Sequence, residues 1–265
     1  MITTEKLGYA IGGKTLLSGI DISLRPGRLA VVIGPNGAGK STLLRLLTGE
    51  LKPTAGRIVV GGRDLVDIPA AVLSRTRAVV PQHTLLSFPF TVIEVVQLGV
   101  TVPGLMPHGL RSRRLAEAML ERVGLLPLAD RDYPSLSGGE RQRVHIARAL
   151  SQLEASPQDG TPLVLFVDEP TSSLDIAHQL EVLEELKAQA AKGRVVIAVL
   201  HDLNLSAAYA DDILLLSQGR FGTFGEPGAV LTDALLSRAY HCDIRLNALP
   251  RDGCPFVLPQ ACSIC

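Results

Sequence analysis

Apolar positions follow two rhythms along the chain. Short runs rich in β-branched residues recur at 29–33, 57–60, 78–80, 163–167, 195–200 and 213–216. Runs of that length and composition predict strands of a largely buried sheet. Between several of them the spacing changes: Ile176, Leu180, Leu183 and Leu186 recur at helical intervals and share one helix face. Strand and helix in alternation imply an α/β sheet. From about residue 88 to 150 the strand signals stop. There, the stretches 94–96, 115–123 and 141–150 read as helices joined by Pro/Gly-rich turns, which predicts an inserted helical lobe. The segment 151–162 carries Ser, Pro, Gln, Asp and Gly with no apolar period, so a surface loop is expected. The last 30 or so residues, with Pro250, Pro255 and Pro259, follow neither rhythm.

Composition narrows the classes. The chain has 265 residues, 46% of them hydrophobic, enough for a sizeable core. Its 26 basic and 26 acidic residues balance, so no broad positive field is available to hold nucleic acid, and none is expected as a partner. The apolar runs are far shorter than the roughly 20 residues a bilayer-spanning helix needs. The start, from Met1 to Lys6, lacks a basic segment leading into an apolar stretch, so a cytoplasmic chain is expected. The four cysteines, Cys242, Cys254, Cys262 and Cys265, all fall near the end. The final C-x-x-C pair has no second close pair to complete a zinc site, so reduced, solvent-facing thiols are expected.

Three motifs carry chemistry. Gly34, Pro35, Asn36, Gly37, Ala38, Gly39, Lys40, Ser41 and Thr42 fit G-x-x-x-x-G-K-[ST] between a predicted strand and an apolar helix pattern at 42–47. Glycines let backbone N–H groups turn inward around phosphate oxygens, and the helix start adds its positive dipole end. Lys40 adds a full charge, the Ser41 hydroxyl is suited to Mg²⁺, and Thr42 to a neighbouring phosphate. A plain Gly-rich turn would leave the Lys-Ser pair unexplained.

The second motif is the apolar run 163–167 ending in Asp168 and Glu169, two carboxylates at the sheet edge where α/β proteins gather ligands. An Asp there can hold Mg²⁺ and a neighbouring Glu can polarise an attacking water. The competing reading is a solvated strand end, which the presence of Lys40 disfavours. The third motif, Leu136, Ser137, Gly138, Gly139 and Glu140, is also a capping box, Ser at the N-cap and Glu three residues on. Such an end can bind a second phosphate.

With two phosphate-binding elements in one chain, the sequence resembles the ATP-binding cassette (ABC) family over roughly residues 1–235. The other family motifs follow in order: Tyr9, Gln82, the run from Ser173 to Asp175, and His201. The resemblance implies a P-loop NTPase fold with a RecA-like core sheet, an N-terminal antiparallel β subdomain and a helical subdomain inserted at about 88–155. It leaves 236–265 as an extension. It implies Tyr9 against adenine, Gln82 sensing Mg²⁺ and the permease, Glu169 as base, and His201 on the γ-phosphate and the attacking water. Asp168, Ser41 and Gln82 would attend Mg²⁺, and Asp175 would link two sites. Ser137, Gly138 and Gly139 would face ATP held by an opposite subunit, hence a homodimer. Taken singly, Tyr9 could be a core aromatic, Gln82 a turn residue, and His201 a cap on the turn that follows it. Glu140 departs from the family's usual Gln.

The wording at 82–99 resembles ATPases serving importers of iron chelates, haem and vitamin B12, with Phe88 and Phe90 suited to a permease groove. The wording at 137–175 most resembles the haemin-import ATPases. The implied role is powering haem uptake through a permease dimer at the cytoplasmic face of the inner membrane, with a periplasmic or surface substrate-binding protein acting indirectly. A ferric siderophore or vitamin B12 is the alternative cargo. A non-transport cassette protein would carry two cassettes or a long coiled-coil insertion, and neither is found in the sequence.

Overall fold

The computed structural model describes residues 1–82, 89–101, 109–157, 160–250 and 253–262. Ten described strands lie in one path. In chain order the strands are β1 (Ile2–Ile11), β2 (Lys14–Ile20), β3 (Ser23–Leu24), β4 (Leu29–Ile33), β5 (Ala55–Val60), β6 (Arg63–Asp64), β7 (Arg77–Val80), β8 (Val164–Asp168), β9 (Val195–Val199), β10 (Asp212–Ser217) and β11 (Arg220–Gly225). Their spatial order is β6-β5-β1-β2-β11-β10-β4-β9-β8-β7, with β3 paired to β1 off the path.

The two ends of this path differ. β10, β4, β9, β8 and β7 run parallel, and every residue of β4, β8 and β9 is buried. This is why their sequences read as continuous apolar runs rather than alternating ones: helices cover both faces. β1, β2 and β5 pair antiparallel, with β1–β2 broken by register shifts, and form the N-terminal β subdomain.

The helices are α1 (Lys40–Leu47), α2 (Ala70–Thr76), α3 (Val92–Gln97), α4 (Leu110–Arg122), α5 (Gly138–Ala155), α6 (Ile176–Ala191), α7 (Leu203–Tyr209), α8 (Pro227–Val230) and α9 (Asp233–Tyr240). α3, α4 and the first part of α5 form the helical lobe, and its Val92, Val96, Leu120 and Val144 join the core cluster on one sheet face. α1 packs on the other face, where Leu43 and Leu47 meet Phe166 and Ile197.

Three expectations change. The loop foreseen at 151–162 begins later, because α5 continues to Ala155 with Ser151 and Leu153 fully buried. Gln152 donates to the carbonyls of Ser74 on α2 and Arg77 at the start of β7. Ile176 does not share the buried face of Leu180, Leu183 and Leu186; as the first residue of α6 it is 42% exposed. The boundary expected at 235 falls inside α9, whose Leu236 and Ala239 are buried in the main core.

Candidate active site

β4 ends at the phosphate loop. Gly34 has φ 147° and Gly39 φ 98°. A Cβ at Gly34 would stand 2.2 Å from the Leu216 carbonyl oxygen on β10, so only glycine lets the loop turn there. The loop delivers the chain into α1 with its N-terminus bare: Gly39 gives no side-chain cap, and the first turn carries no acid. Its unpaired N–H groups and positive dipole end therefore open onto the cleft.

Lys40 is buried and folds back, its Nζ donating to the carbonyls of Gly34 at 2.8 Å and Pro35 at 3.1 Å. Burial pushes its ammonium below the ordinary value, against the pull of Glu169 and Asp168. The charge is held against the loop carbonyls, with no salt-bridge partner among the described residues.

Across the cleft, β8 ends at Asp168. Burial pushes its carboxyl up, opposed first by a bond from the Ser41 hydroxyl. Oδ1 of Asp168 is buried and has no hydrogen-bond partner among the described residues. An orphaned carboxylate oxygen beside a serine hydroxyl is a donor set that fits a hard divalent cation. Glu169 follows in a left-handed conformation, φ 51°, which turns its side chain out of the strand into the cleft. One carboxylate oxygen accepts from Gln82 Nε2 at 2.5 Å, and the other lies 2.5 Å from His201 Nε2. Glu169 is therefore held at both oxygens by residues 87 and 32 positions away in sequence.

His201 is free for this contact because Asp202, not His201, caps α7, accepting from the N–H groups of Asn204 and Leu205. The cleft enclosed by these elements has a volume of about 650 Å³ and is lined by Asn36, Gly37, Gly39, Lys40, Ser41 and Thr42 with Gln82, Glu169 and His201. Leu16 on β2 completes the lining. No motif marks Leu16; the strand pairing brings it there. Tyr9 is not among these lining residues. It sits on β1 opposite Leu17 and packs against the second core cluster.

The Ser137 element lies outside this lining. Ser137 Oγ accepts from the Glu140 N–H at 3.3 Å, and Glu140 accepts from the Ser137 N–H at 2.7 Å. That second bond holds the Glu140 carboxyl below its ordinary value. Gly139 abuts the neighbouring turn, where a Cβ would stand 2.9 Å from the Ser173 carbonyl oxygen. Two residues on, Asp175 caps α6 by accepting from the His178 N–H, and this bond holds its carboxyl down. Gly138 and Gly139 thus pack against the turn at Ser173 and Leu174 that leads into Asp175.

A residue without any motif also touches the phosphate loop. Burial pushes the Tyr240 phenol up, opposed by a bond with the Gly34 backbone. Cys242, Cys254 and Cys262 are exposed free thiols. Cys265 and Phe88 lie outside the described residues, and Phe90 packs partly buried against the helical lobe.

Residues 17–172 match the family described as ABC transporter. The chain belongs to the ABC transporter family. Within it, the chain is 46% identical over 98% of its length, and 99% of the relative's, to the hemin import ATP-binding protein HmuV of Mesorhizobium japonicum. Among solved structures it resembles an ABC transporter described as of metal-chelate type, in an inward-facing conformation, with TM-score 0.75 at 31% identity over 91% of this chain and 88% of that one. It also resembles a dimeric ATP-binding cassette in a post-hydrolysis state bound to ADP and Pi, with TM-score 0.75 at 25% identity over 86% of this chain and 99% of that one. The chain is an ABC ATPase coupled to transport, built on the α/β fold expected of the family. No described helix is long and apolar enough to cross a membrane.

Proposed function

We propose that two copies of this chain drive haem uptake from the cytoplasmic face of the inner membrane, through a permease that the chain does not contain. The observation that carries the motor reading is Glu169, held at both carboxylate oxygens by Gln82 and His201 beside Lys40 in one cleft. The haem reading rests on the names of relatives such as the Mesorhizobium japonicum protein and on the sequence wording at 137–175.

In this reading the phosphate loop, from Gly34 to Thr42, binds the polyphosphate of ATP through backbone N–H groups, and Lys40 moves from its loop carbonyls to the β- and γ-phosphates. Ser41, Asp168 and Gln82 would hold Mg²⁺, which neutralises phosphate charge when bound. Glu169 accepts a proton from the attacking water, while His201 orients that water and the γ-phosphate. Leu16, which lines the cleft, would flank the adenine, while Tyr9, expected there from the resemblance, lies on β1 outside the lining. Ser137, Gly138 and Gly139 offer N–H groups to nucleotide bound by the other copy, and Asp175, just after the turn they abut, links the two sites.

Closure of the pair would move the permease through the surface around Gln82 and Phe90, and hydrolysis would allow reopening. A substrate-binding protein would deliver cargo on the far side.

The decisive experiment removes this chain from its host and tests growth on haem against a ferric siderophore as iron source, restoring wild-type or Glu169→Gln copies. Growth failing on haem alone and rescued only by wild type is expected. Failure on the siderophore instead would move the cargo and leave the motor reading standing; rescue by Glu169→Gln would remove Glu169 as the base. In vitro, that variant should lose about a thousandfold in turnover, the scale of general-base catalysis, while still binding ATP.

A further inference from the structure

Beneath the Ser137 end of α5 lies a buried polar pair that the catalytic cleft does not use. The Tyr133 hydroxyl is 2.8 Å from His145 Nε2, and the rings meet edge to face with centroids 5.7 Å apart. Both residues are almost fully buried, and His145 Nδ1 has no hydrogen-bond partner among the described residues. Burial, and then the neighbouring Arg148 guanidinium, pushes the His145 imidazole down to about 4, so it is neutral at neutral pH. An apolar pair would fill this core without desolvating a phenol and an imidazole or orphaning a ring nitrogen. What the polar pair adds is direction, because a hydrogen bond fixes an orientation that hydrophobic contact does not.

Its connections lead to both functional elements. The Tyr133 N–H donates to the Phe90 carbonyl at 2.9 Å, and the Tyr133 carbonyl accepts from Leu136, the residue before the Ser137 cap. Three positions after His145, Arg148 donates from Nη2 to the Val79 carbonyl at 3.0 Å. Val79 lies on β7, three residues before Gln82. Gly99, just after α3, locks the same helix from the other side: a Cβ there would stand 2.2 Å from the Arg148 carbonyl oxygen. The segment returning at Phe90 and the turn entering Ser137 meet at Tyr133, which is bonded to His145 on α5, and the strand entering Gln82 meets the same helix at Arg148.

We propose that the Tyr133–His145 pair is a positioning device that sets the Ser137–Gly139 end of α5 relative to Gln82, so that closure of two copies brings that end onto nucleotide bound by the opposite copy. This rests on the shared-site reading above. Tyr133 and His145 touch no reacting atom; they act through Ser137.

The test compares Tyr133→Phe and His145→Gln in the full chain. Tyr133→Phe should lower kcat per folded molecule about fivefold, the worth of one neutral hydrogen bond, and leave the affinity of the undimerised chain for a fluorescent ATP analogue unchanged. In a Glu169→Gln background it should weaken ATP-driven dimerisation by a similar factor. His145→Gln, whose amide can meet the Tyr133 hydroxyl, should retain most of the wild-type kcat. Unchanged kcat per folded molecule with only a lower melting temperature would overturn the proposal, as would nucleotide affinity falling in step with kcat. If Glu169→Gln alone fails to dimerise with ATP, the shared-site reading falls and takes the proposal with it; that result is seen before Tyr133 is touched.

Discussion

Two helices in this protein begin where a phosphate could bind, and they begin differently. α1 starts bare, its Gly39 cap without a side chain, no acid in its first turn, and a buried lysine as its first residue. α5 starts satisfied, with Ser137 and Glu140 closing a reciprocal capping box and Glu140 placing a negative charge in the first turn. An N-cap of this kind contributes about 1 kcal/mol to a helix, which α1 forgoes. The difference marks two ways of holding an anion. The α1 end has no side-chain cap and faces its own cleft, which suits a ligand taken within one chain. The α5 end lies outside that cleft and is stable by itself, which suits an element that meets nucleotide only when a second copy closes.

The comparison can be broken from either side. Ser137→Arg puts a bulky cation where the second phosphate would meet α5. Turnover should fall by about a hundredfold or more, the cost of removing a transition-state hydrogen-bond donor, with single-chain nucleotide affinity intact by equilibrium titration. Ordinary turnover in this variant would show that the α5 end faces no nucleotide.

Thr42→Glu gives α1 the first-turn acid that α5 already has, at the same third helical position. Since an anion at a helix start responds to about 1–2 kcal/mol of local charge, nucleotide affinity should drop by about fivefold to thirtyfold by the same titration. Unchanged affinity would mean that the contrast between the two helix starts has no bearing on binding.

The smallest effect belongs to Glu140→Gln, which removes charge and keeps a carbonyl acceptor for the Ser137 N–H. Turnover should change by no more than about threefold, because a helix-end charge on an exposed surface is worth only about 0.3–1 kcal/mol. Its signature is in acid. Glu140 titrates below its ordinary value of 4.5 in the folded chain. Its contribution to stability is thus present above that value and lost as pH falls through the lower folded value. Urea unfolding from pH 6 to 3 should show a shallower loss of stability in Glu140→Gln than in wild type.

Local sequence determined a good deal. The apolar runs at 29–33, 163–167 and 195–200 are central strands buried on both faces, and a continuous hydrophobic run is the signal such burial leaves. The phosphate loop and the Ser137 capping box were legible because each is a short-range device, with its glycines, lysine and cap partners within a few residues of one another. The family's later motifs named Gln82 and His201, and their spacing says nothing about Glu169. It is the order of β7, β8 and β9 side by side that brings all three together at one sheet edge.

What only the tertiary structure decided has the same cause: contacts between segments distant in sequence. Leu16 reaches the cleft because β2 runs past the phosphate loop, and Tyr240 meets the Gly34 backbone because α9 packs back into the core cluster of the parallel strands. Residues 151–155, polar enough to read as loop, are helical because Gln152 finds its partners on a strand edge 75 residues away. The Tyr133–His145 pair has no motif, since a phenol and an imidazole become partners only when a turn folds onto a helix and water is excluded between them. Local chemistry writes periodicity, loops and caps into the sequence; which distant groups become neighbours, and how far burial shifts their charge, follows from packing.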